Sequence, residues 1–197
     1  MSRILSIAAG AAAIAVVGGT VAMTMRDAPE CRAGTVAGGA IGGPFELVDE
    51  RGRTVTDTDI ITEPSIIYFG FTFCPDFCPI DSARNAAAVD ILEEEGISAT
   101  PIFITIDPAR DTVDVVSDYT ENFHPKMIGL TGSEEQVSAA AKAYRVAYSK
   151  ADDDPDYYLM NHSVFSYFVT PEDGFVDFFR RESSPEEVAQ LISCHVS

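Results

Sequence analysis

The stretch GFTFCPDFCPID, residues 70–81, contains two of the chain's four cysteines, Cys74 and Cys78, and a proline follows each of them. The run before it, PSIIYFGFTF (64–73), is apolar and rich in β-forming residues, which is typical of a strand buried on both faces. The residues after it, 79–96, have the pattern of a helix with a proline in its first turn and a glycine at its end. The cysteines therefore lie between a strand and a helix N-terminus, where the pKa of a thiol is lowered.

Strands and helices alternate along the rest of the sequence. The later predicted strands are 99–107, 127–132, 163–170 and 175–179, and the later predicted helices are 112–123, 133–146 and 184–192. Upstream, PFELVDERGRTVT (44–56) has the pattern of a hairpin. This order predicts an α/β fold with a mixed sheet. Paired cysteines at its first strand–helix junction are typical of a thioredoxin-like domain with, here, an N-terminal hairpin.

The N-terminus differs in composition from the rest. Residues 4–25 contain no charged side chain, and as a helix they would extend over about 33 Å, enough to cross a bilayer. We interpret residues 1–26 as a single transmembrane anchor, with a cleaved signal peptide as the alternative. Residues 27–42, rich in Gly and Ala, are predicted to be a flexible tether, and residues 43–197 the globular domain. We expect an inner-membrane protein whose domain faces the oxidising periplasm.

The charge balance excludes one class of partner. The chain has 31 acidic and 13 basic side chains, which gives a net charge of −18. Binding to nucleic acid depends on cationic contacts with phosphates, so we expect no nucleic-acid partner.

The cysteine pair is open to more than one interpretation. Two cysteines four residues apart beside two prolines are poorly placed for packing alone. Redox motifs of this fold normally have two residues between the cysteines, whereas here there are three. That spacing still permits a disulfide, and it also allows two thiolates to face a soft metal ion. The residues alone leave both possibilities open.

A metal bound by two thiolates would need a further ligand, and the chain has three histidines. His124 precedes a proline at a predicted helix end, where we expect a surface or capping residue. His195 lies near the C-terminus, where fraying is expected. His162 ends a polar loop and precedes a strand, 84 residues after Cys78. It can meet the cysteine pair only through the fold, and a histidine at a strand start is also commonly structural.

Three segments together resemble the Sco/SenC family of copper-binding assembly factors for cytochrome c oxidase. YFGFTFCPDFCP resembles its C-P-x-x-C-P signature, FITIDPARDT its D-P-x-R-D segment, and YLMNHSVFSYFVTPEDGFVDFF its Y-x3-H segment. The resemblance covers about residues 43–188 and also fits an anchor followed by a tether.

The resemblance implies a set of site residues. Copper, as Cu(I) or Cu(II), would be bound by Cys74, Cys78 and His162. The residues implied as supporting the ligands or docking a partner are Asp107, Arg110, Asp111 and Asn161. Phe73 and Asn161 are departures, because many members have histidine and aspartate there. Loss of the aspartate charge beside His162 could alter copper affinity. Cys31 and Cys194 lie outside the family motif and could pair with each other or across a dimer.

The implied function is that of a copper chaperone, not an enzyme, and no catalytic residue is assigned. It would deliver copper to the binuclear copper centre of cytochrome c oxidase subunit II, with a copper donor protein or thiol reductant as another partner. The alternative is a membrane-anchored thiol–disulfide oxidoreductase or redox sensor whose redox-active disulfide joins Cys74 and Cys78. A peroxidase of the same fold would need one activated cysteine instead of a pair. His162 discriminates, because thiol exchange needs only the cysteines.

Overall fold

A computed structural model describes residues 41–151, 154 and 157–196. The predicted anchor, most of the predicted tether and Cys31 lie outside these residues. Within the described part of the chain, no helix combines the length and the apolar character needed to cross a membrane.

Nine strands and five helices follow one another along the described residues. They are β1 (Glu46–Asp49), β2 (Thr54–Thr56), α1 (Asp57–Ile60), β3 (Ser65–Gly70), α2 (Phe77–Glu94), β4 (Thr100–Thr105), α3 (Val113–Glu121), β5 (Ile128–Thr131), α4 (Glu134–Ala143), β6 (Tyr148–Lys150), β7 (Met160–His162), β8 (Ser166–Thr170), β9 (Gly174–Phe179) and α5 (Pro185–Val196).

Seven of the strands form one mixed sheet in the order β2-β1-β5-β4-β3-β8-β9. Strands β3, β4 and β5 are parallel, whereas β1 runs antiparallel to β5 and β8 runs antiparallel to β3. Strands β6 and β7 form a separate two-stranded sheet. This mixed α/β arrangement is the thioredoxin-like fold that the sequence predicts.

The parallel register of β3 and β4 determines where the site lies. Gly70, the last residue of β3, pairs with Thr105, the last residue of β4. The loop that carries the cysteines and the turn that begins at Asp107 therefore leave the sheet side by side. The carboxyl ends of parallel strands are a common position for binding sites in α/β proteins.

The core lies on both faces of the sheet. Ile66 of β3 packs with Leu92 of α2 and Ile192 of α5, whereas its neighbour Ile67 belongs to a cluster with Val137 of α4. Successive residues of a strand point to opposite faces, so an uninterrupted apolar run suits a strand covered on both sides.

The element boundaries differ from the predicted ones near the cysteines. The predicted hairpin is confirmed by antiparallel pairing of β1 with β2. Strand β3 ends at Gly70, three residues before the end of the apolar run, and α2 begins at Phe77, two residues before the predicted start. Strands β6 and β7 lie where the sequence suggested only a polar loop, because their residues are largely exposed and lack apolar periodicity.

Candidate metal centre

The two cysteines meet at the N-terminus of α2. Cys74 lies in the turn after β3, closed by a bond from its own N–H to the carbonyl of Phe71 at 3.3 Å. Cys78 is the second residue of α2, and its backbone N–H donates to the Sγ of Cys74 at 3.4 Å. Cys78 is fully buried and Cys74 is half-buried, and both are free thiols. The turn after β3 and the first turn of α2 thus bring both sulfur atoms to the carboxyl edge of the sheet.

The two thiols differ in acidity. The hydrogen bond from the Cys78 thiol lowers the pKa of Cys74. The neighbouring thiolate raises the pKa of Cys78, and burial raises it too. The pair therefore shares one proton: Cys74 is the half-exposed thiolate, and Cys78 is the buried thiol.

His162 approaches the pair from the separate two-stranded sheet. It is the last residue of β7, and its Nε2 lies 3.6 Å from the Sγ of Cys78. Its Nδ1 lies 2.8 Å from the carbonyl oxygen of Ser163, to which it can only donate. A neutral imidazole therefore carries its proton on Nδ1, which leaves the lone pair of Nε2 directed at the sulfur atoms.

Aromatic rings enclose the imidazole. Tyr68 and Phe71 make edge-to-face contacts with His162, with ring centroids 6.2 Å and 5.9 Å away. At Gly70, an added Cβ would lie 3.0 Å from the Sγ of Cys78 and 2.9 Å from the ring of Tyr68. The absence of a side chain at this position lets the cysteine pack directly on the strand.

Two sulfur atoms and one imidazole nitrogen therefore converge while both cysteines are reduced. Thiolate and imidazole ligands suit copper and zinc, whereas they are poor ligands for magnesium or calcium. Deprotonation of Cys78 would supply the second thiolate, so binding a soft metal would release a proton.

The predicted residue Asp111 anchors the cysteine loop. Its buried carboxylate accepts hydrogen bonds from the N–H and hydroxyl of Thr72, at 3.0 Å and 2.6 Å, and from the hydroxyl of Thr105 at 2.6 Å. Burial raises the pKa of Asp111, while these hydrogen bonds oppose that shift. Thr72 follows the end of β3, so its hydrogen bonds to this carboxylate fix the cysteine loop at the point where the chain leaves the sheet.

The other predicted supporting residues lie elsewhere. Asp107 and Arg110 form an ion pair at 2.5 Å and contact Tyr158, in the segment that leads to His162. Asn161 is exposed and, as the neighbour of His162 in β7, points to the opposite side of the strand. An effect of Asn161 on His162 stays a prediction.

Two buried polar residues beneath the site were missed in the sequence. Tyr68 and Asp81 are each 1% exposed. The carboxylate of Asp81 lies 3.3 Å from Nη1 of Arg84 and 3.6 Å from Nε of Arg181. Burial raises the pKa of Tyr68. The only signal for Asp81 was an acidic residue one helix turn after Cys78, which by itself predicts nothing about burial.

Exposed apolar side chains lie close in sequence to the three candidate ligands. Seven large hydrophobic residues are exposed among the described residues, and five of them lie within five positions of a candidate ligand. These five are Phe73, Phe77, Ile80, Tyr157 and Leu159. The rings of Phe73 and Tyr157 pack together at 5.2 Å. We call these five residues the apolar rim.

A second group of potential ligands is unsuited to a metal. Asp90, Glu93 and His124 lie close together. His124 is buried, contrary to the expectation of a surface residue, and its Nδ1 accepts the N–H of Lys126 at 3.0 Å. Its proton is therefore on Nε2, which faces Asp90, so no lone pair points toward the carboxylates. The ammonium of Lys126 also lies 2.6 Å from Glu93.

The described residues at the C-terminal end are helical, and the fraying expected near His195 stays a prediction. His195 lies inside α5 with its Nε2 3.2 Å from a carboxylate oxygen of Asp173. Cys194 is disulfide-bonded. The predicted pairing of Cys194 with Cys31 involves a residue outside the described part of the chain and stays a prediction.

Comparisons with known proteins agree on one family. The family model SCO1/SenC matches residues 34–197. Protein SenC of Rhodobacter capsulatus is 49% identical over 200 residues, which cover 98% of this chain and 90% of SenC. A crystal structure of Arabidopsis thaliana ScoI with copper bound matches with a TM-score of 0.75 at 42% identity, over 80% of this chain and 99% of that one. Yeast Sco1 with copper bound gives 0.74 at 39% identity, over 80% and 89%.

Proposed function

The chain belongs to the SCO1/SenC family, and we propose that it is a copper chaperone that binds one copper ion, Cu(I) or Cu(II), through Cys74, Cys78 and His162. The observation that carries this proposal is the approach of Nε2 of His162 to the Sγ of Cys78, while Nδ1 is occupied by the carbonyl of Ser163. The copper-bound structures of ScoI and Sco1, at about 40% identity, support copper as the metal.

The acceptor in this proposal is the binuclear copper centre of cytochrome c oxidase subunit II. Three ligands leave copper room for an incoming fourth, so a partner's thiol or imidazole can bind before a chaperone ligand leaves. Cys74 is the half-exposed ligand at which such exchange would begin. The apolar rim around it offers a surface of the kind that transient partners cover.

The same proposal includes the arrangement in the membrane. Residues 1–26 would form a single-pass inner-membrane anchor and residues 27–42 a tether, with residues 43–197 as the copper-binding domain in the periplasm. The uncharged run 4–25 and the Gly- and Ala-rich segment after it support this organisation.

A second function is supported by the acidity of the pair. A half-exposed thiolate at Cys74 beside a buried thiol at Cys78 suits a thiol–disulfide oxidoreductase. In exchange with a partner's disulfide, the pair would be oxidised to a disulfide while the partner's disulfide is reduced to two thiols, and the loss of both sulfur ligands would expel copper. Redox state would then gate copper binding.

Copper titration of the reduced full-length chain, in competition with a chromophoric Cu(I) chelator, separates the two functions. We expect one tightly bound Cu(I), lost in the Cys74→Ser/Cys78→Ser variant and weakened about 10-fold or more in His162→Ala. Equal copper affinity of His162→Ala and the parent would exclude the three-ligand site and make thiol exchange the leading function.

A further inference from the structure

The candidate ligand His162 lies on an element that needs to be held in place. Strands β6 and β7 form their own two-stranded sheet outside the seven-stranded one. Their side chains are exposed or only half-buried. Tyr148 and Met160 of these strands pack against the main core but are only partly buried. Contacts beyond core burial therefore also help to set the distance between His162 and the cysteine pair.

Tyr158, two residues before β7, makes such a contact. It is 4% exposed, whereas its neighbour Tyr157 is 66% exposed. Its hydroxyl donates to Oδ1 of Asp107 at 2.8 Å, and its backbone carbonyl accepts from Nη1 of Arg110 at 2.8 Å. Both its side chain and its backbone are thus fixed to the turn that follows β4.

Two cations also pack on the Tyr158 ring. The guanidinium carbon of Arg110 lies 3.6 Å from the ring centroid, and the Nζ of Lys150 in β6 lies 4.1 Å from it. Arg110 in turn donates from Nε to Oδ2 of Asp107 at 2.5 Å. Asp107 is 3% exposed, so its carboxylate is held by these two partners out of water.

The same turn holds the cysteine loop. Asp111, four residues after Asp107, accepts the N–H and hydroxyl of Thr72, two residues before Cys74. One short segment, residues 107–111, therefore contacts both halves of the site. It holds the cysteine loop through Thr72 and the segment before His162 through Tyr158.

We propose that Tyr158 is a positioning residue for copper binding, which sets the place of His162 relative to Cys74 and Cys78 by tying β7 to the turn at residues 107–111. This inference rests on the proposed function, because it takes His162 to be a copper ligand. Tyr158 itself touches neither the sulfur atoms nor the metal. Its contribution is to reduce the number of positions that the imidazole samples before copper binds.

The decisive variant is Tyr158→Phe in the reduced full-length chain. It removes only the hydroxyl, keeps the ring between Arg110 and Lys150, and leaves Oδ1 of Asp107 buried without that donor. Loss of a partner that orients a metal ligand typically weakens metal binding 10- to 100-fold. Because Tyr158 lies four residues before His162 and acts on it only indirectly, we expect the Cu(I) affinity to fall by about 10-fold, the lower end of that range. The matched control, Tyr144→Phe, removes the hydroxyl of a tyrosine that is also buried, 3% exposed, and lies outside the site, so it is expected to bind copper like the parent.

A double-mutant cycle with His162→Ala tests whether Tyr158 acts through the histidine. In the His162→Ala background, Tyr158→Phe should cause no further loss of copper affinity. In the His162→Ala background, the alkylation rate of Cys74 should be the same with and without Tyr158→Phe, which a general loosening of the fold would not leave unchanged.

Two results would overturn the inference: parental copper affinity in Tyr158→Phe, or the same loss with and without His162. Failure of the proposed function gives a different result, because His162→Ala itself would then bind copper like the parent.

Discussion

The Nε2 of His162 lies 3.6 Å from the Sγ of Cys78, although 84 residues separate them in the chain. Cys78 belongs to the first turn of α2, whereas His162 ends β7, a strand outside the seven-stranded sheet. Thiol exchange needs only the cysteines, so a change at His162 separates copper binding from thiol chemistry.

The acidity of Cys74 predicts an unusual pH profile for alkylation by iodoacetamide. Its pKa is lowered chiefly by the hydrogen bond from Cys78, so the reduced, copper-free protein should still react at pH 6, where an ordinary thiol is almost fully protonated. In Cys78→Ala, the half-maximal rate should move to higher pH.

The same shift has a consequence for stability. Below the ordinary thiol pKa, the unfolded chain binds a proton that folded Cys74 has released, so this group's contribution to stability falls as the pH is lowered toward its folded pKa.

An identical alkylation profile for the parent and Cys78→Ala would show that the hydrogen bond from Cys78 is not the cause of the lowered pKa of Cys74.

Removal of the carboxylate at Asp111 should destabilise the whole domain. Asp111→Ala deletes the acceptor of three hydrogen bonds, from Thr72 and Thr105, in a fully buried position. We expect the free energy of unfolding in urea to fall by about 2–3 kcal/mol. Asp118→Ala, at an exposed position of α3, is the control and should change it by less than about 0.5 kcal/mol. Equal effects of the two variants would contradict the anchoring role.

The apolar rim should affect transfer without affecting binding. Ile80 is 56% exposed on α2, so Ile80→Ser should leave copper affinity unchanged and slow copper transfer to the purified copper-binding domain of subunit II by several-fold. Val115→Ser changes an apolar residue of similar exposure, 39%, that is not part of the rim, and it should transfer at the parental rate. A rate that is unchanged in Ile80→Ser would remove Ile80 from the docking surface.

Local patterns in the sequence predicted most of the fold. The apolar run before Cys74 became β3, the stretch after Cys78 became α2, and the N-terminal hairpin formed as expected. These elements depend on periodicity, turn residues and helix ends, all of which act within about ten residues. Strands β6 and β7 were missed because they are short and largely exposed, and their residues do not show the apolar periodicity that predicts a strand.

The candidate site was predictable only in part. The residues themselves marked Cys74 and Cys78 as chemically unusual, and the family resemblance singled out His162. The role of Tyr158, the burial of Asp81 and the burial of His124 had no local signal, because each depends on partners that lie far away in the sequence.

The sequence alone determined the order of the strands of the main sheet and the position of two thiols at a helix N-terminus, because hydrogen bonding within a turn and the alternation of apolar residues are local properties. Tertiary structure alone decided that Nε2 of His162 faces those thiols, and that Asp107 and Asp111 contact the two halves of the site. Such contacts form only when the main sheet aligns the ends of β3 and β4 and the β6–β7 pair packs beside them. The two residues of each contact are far apart in the chain, so a local sequence pattern cannot predict that they meet.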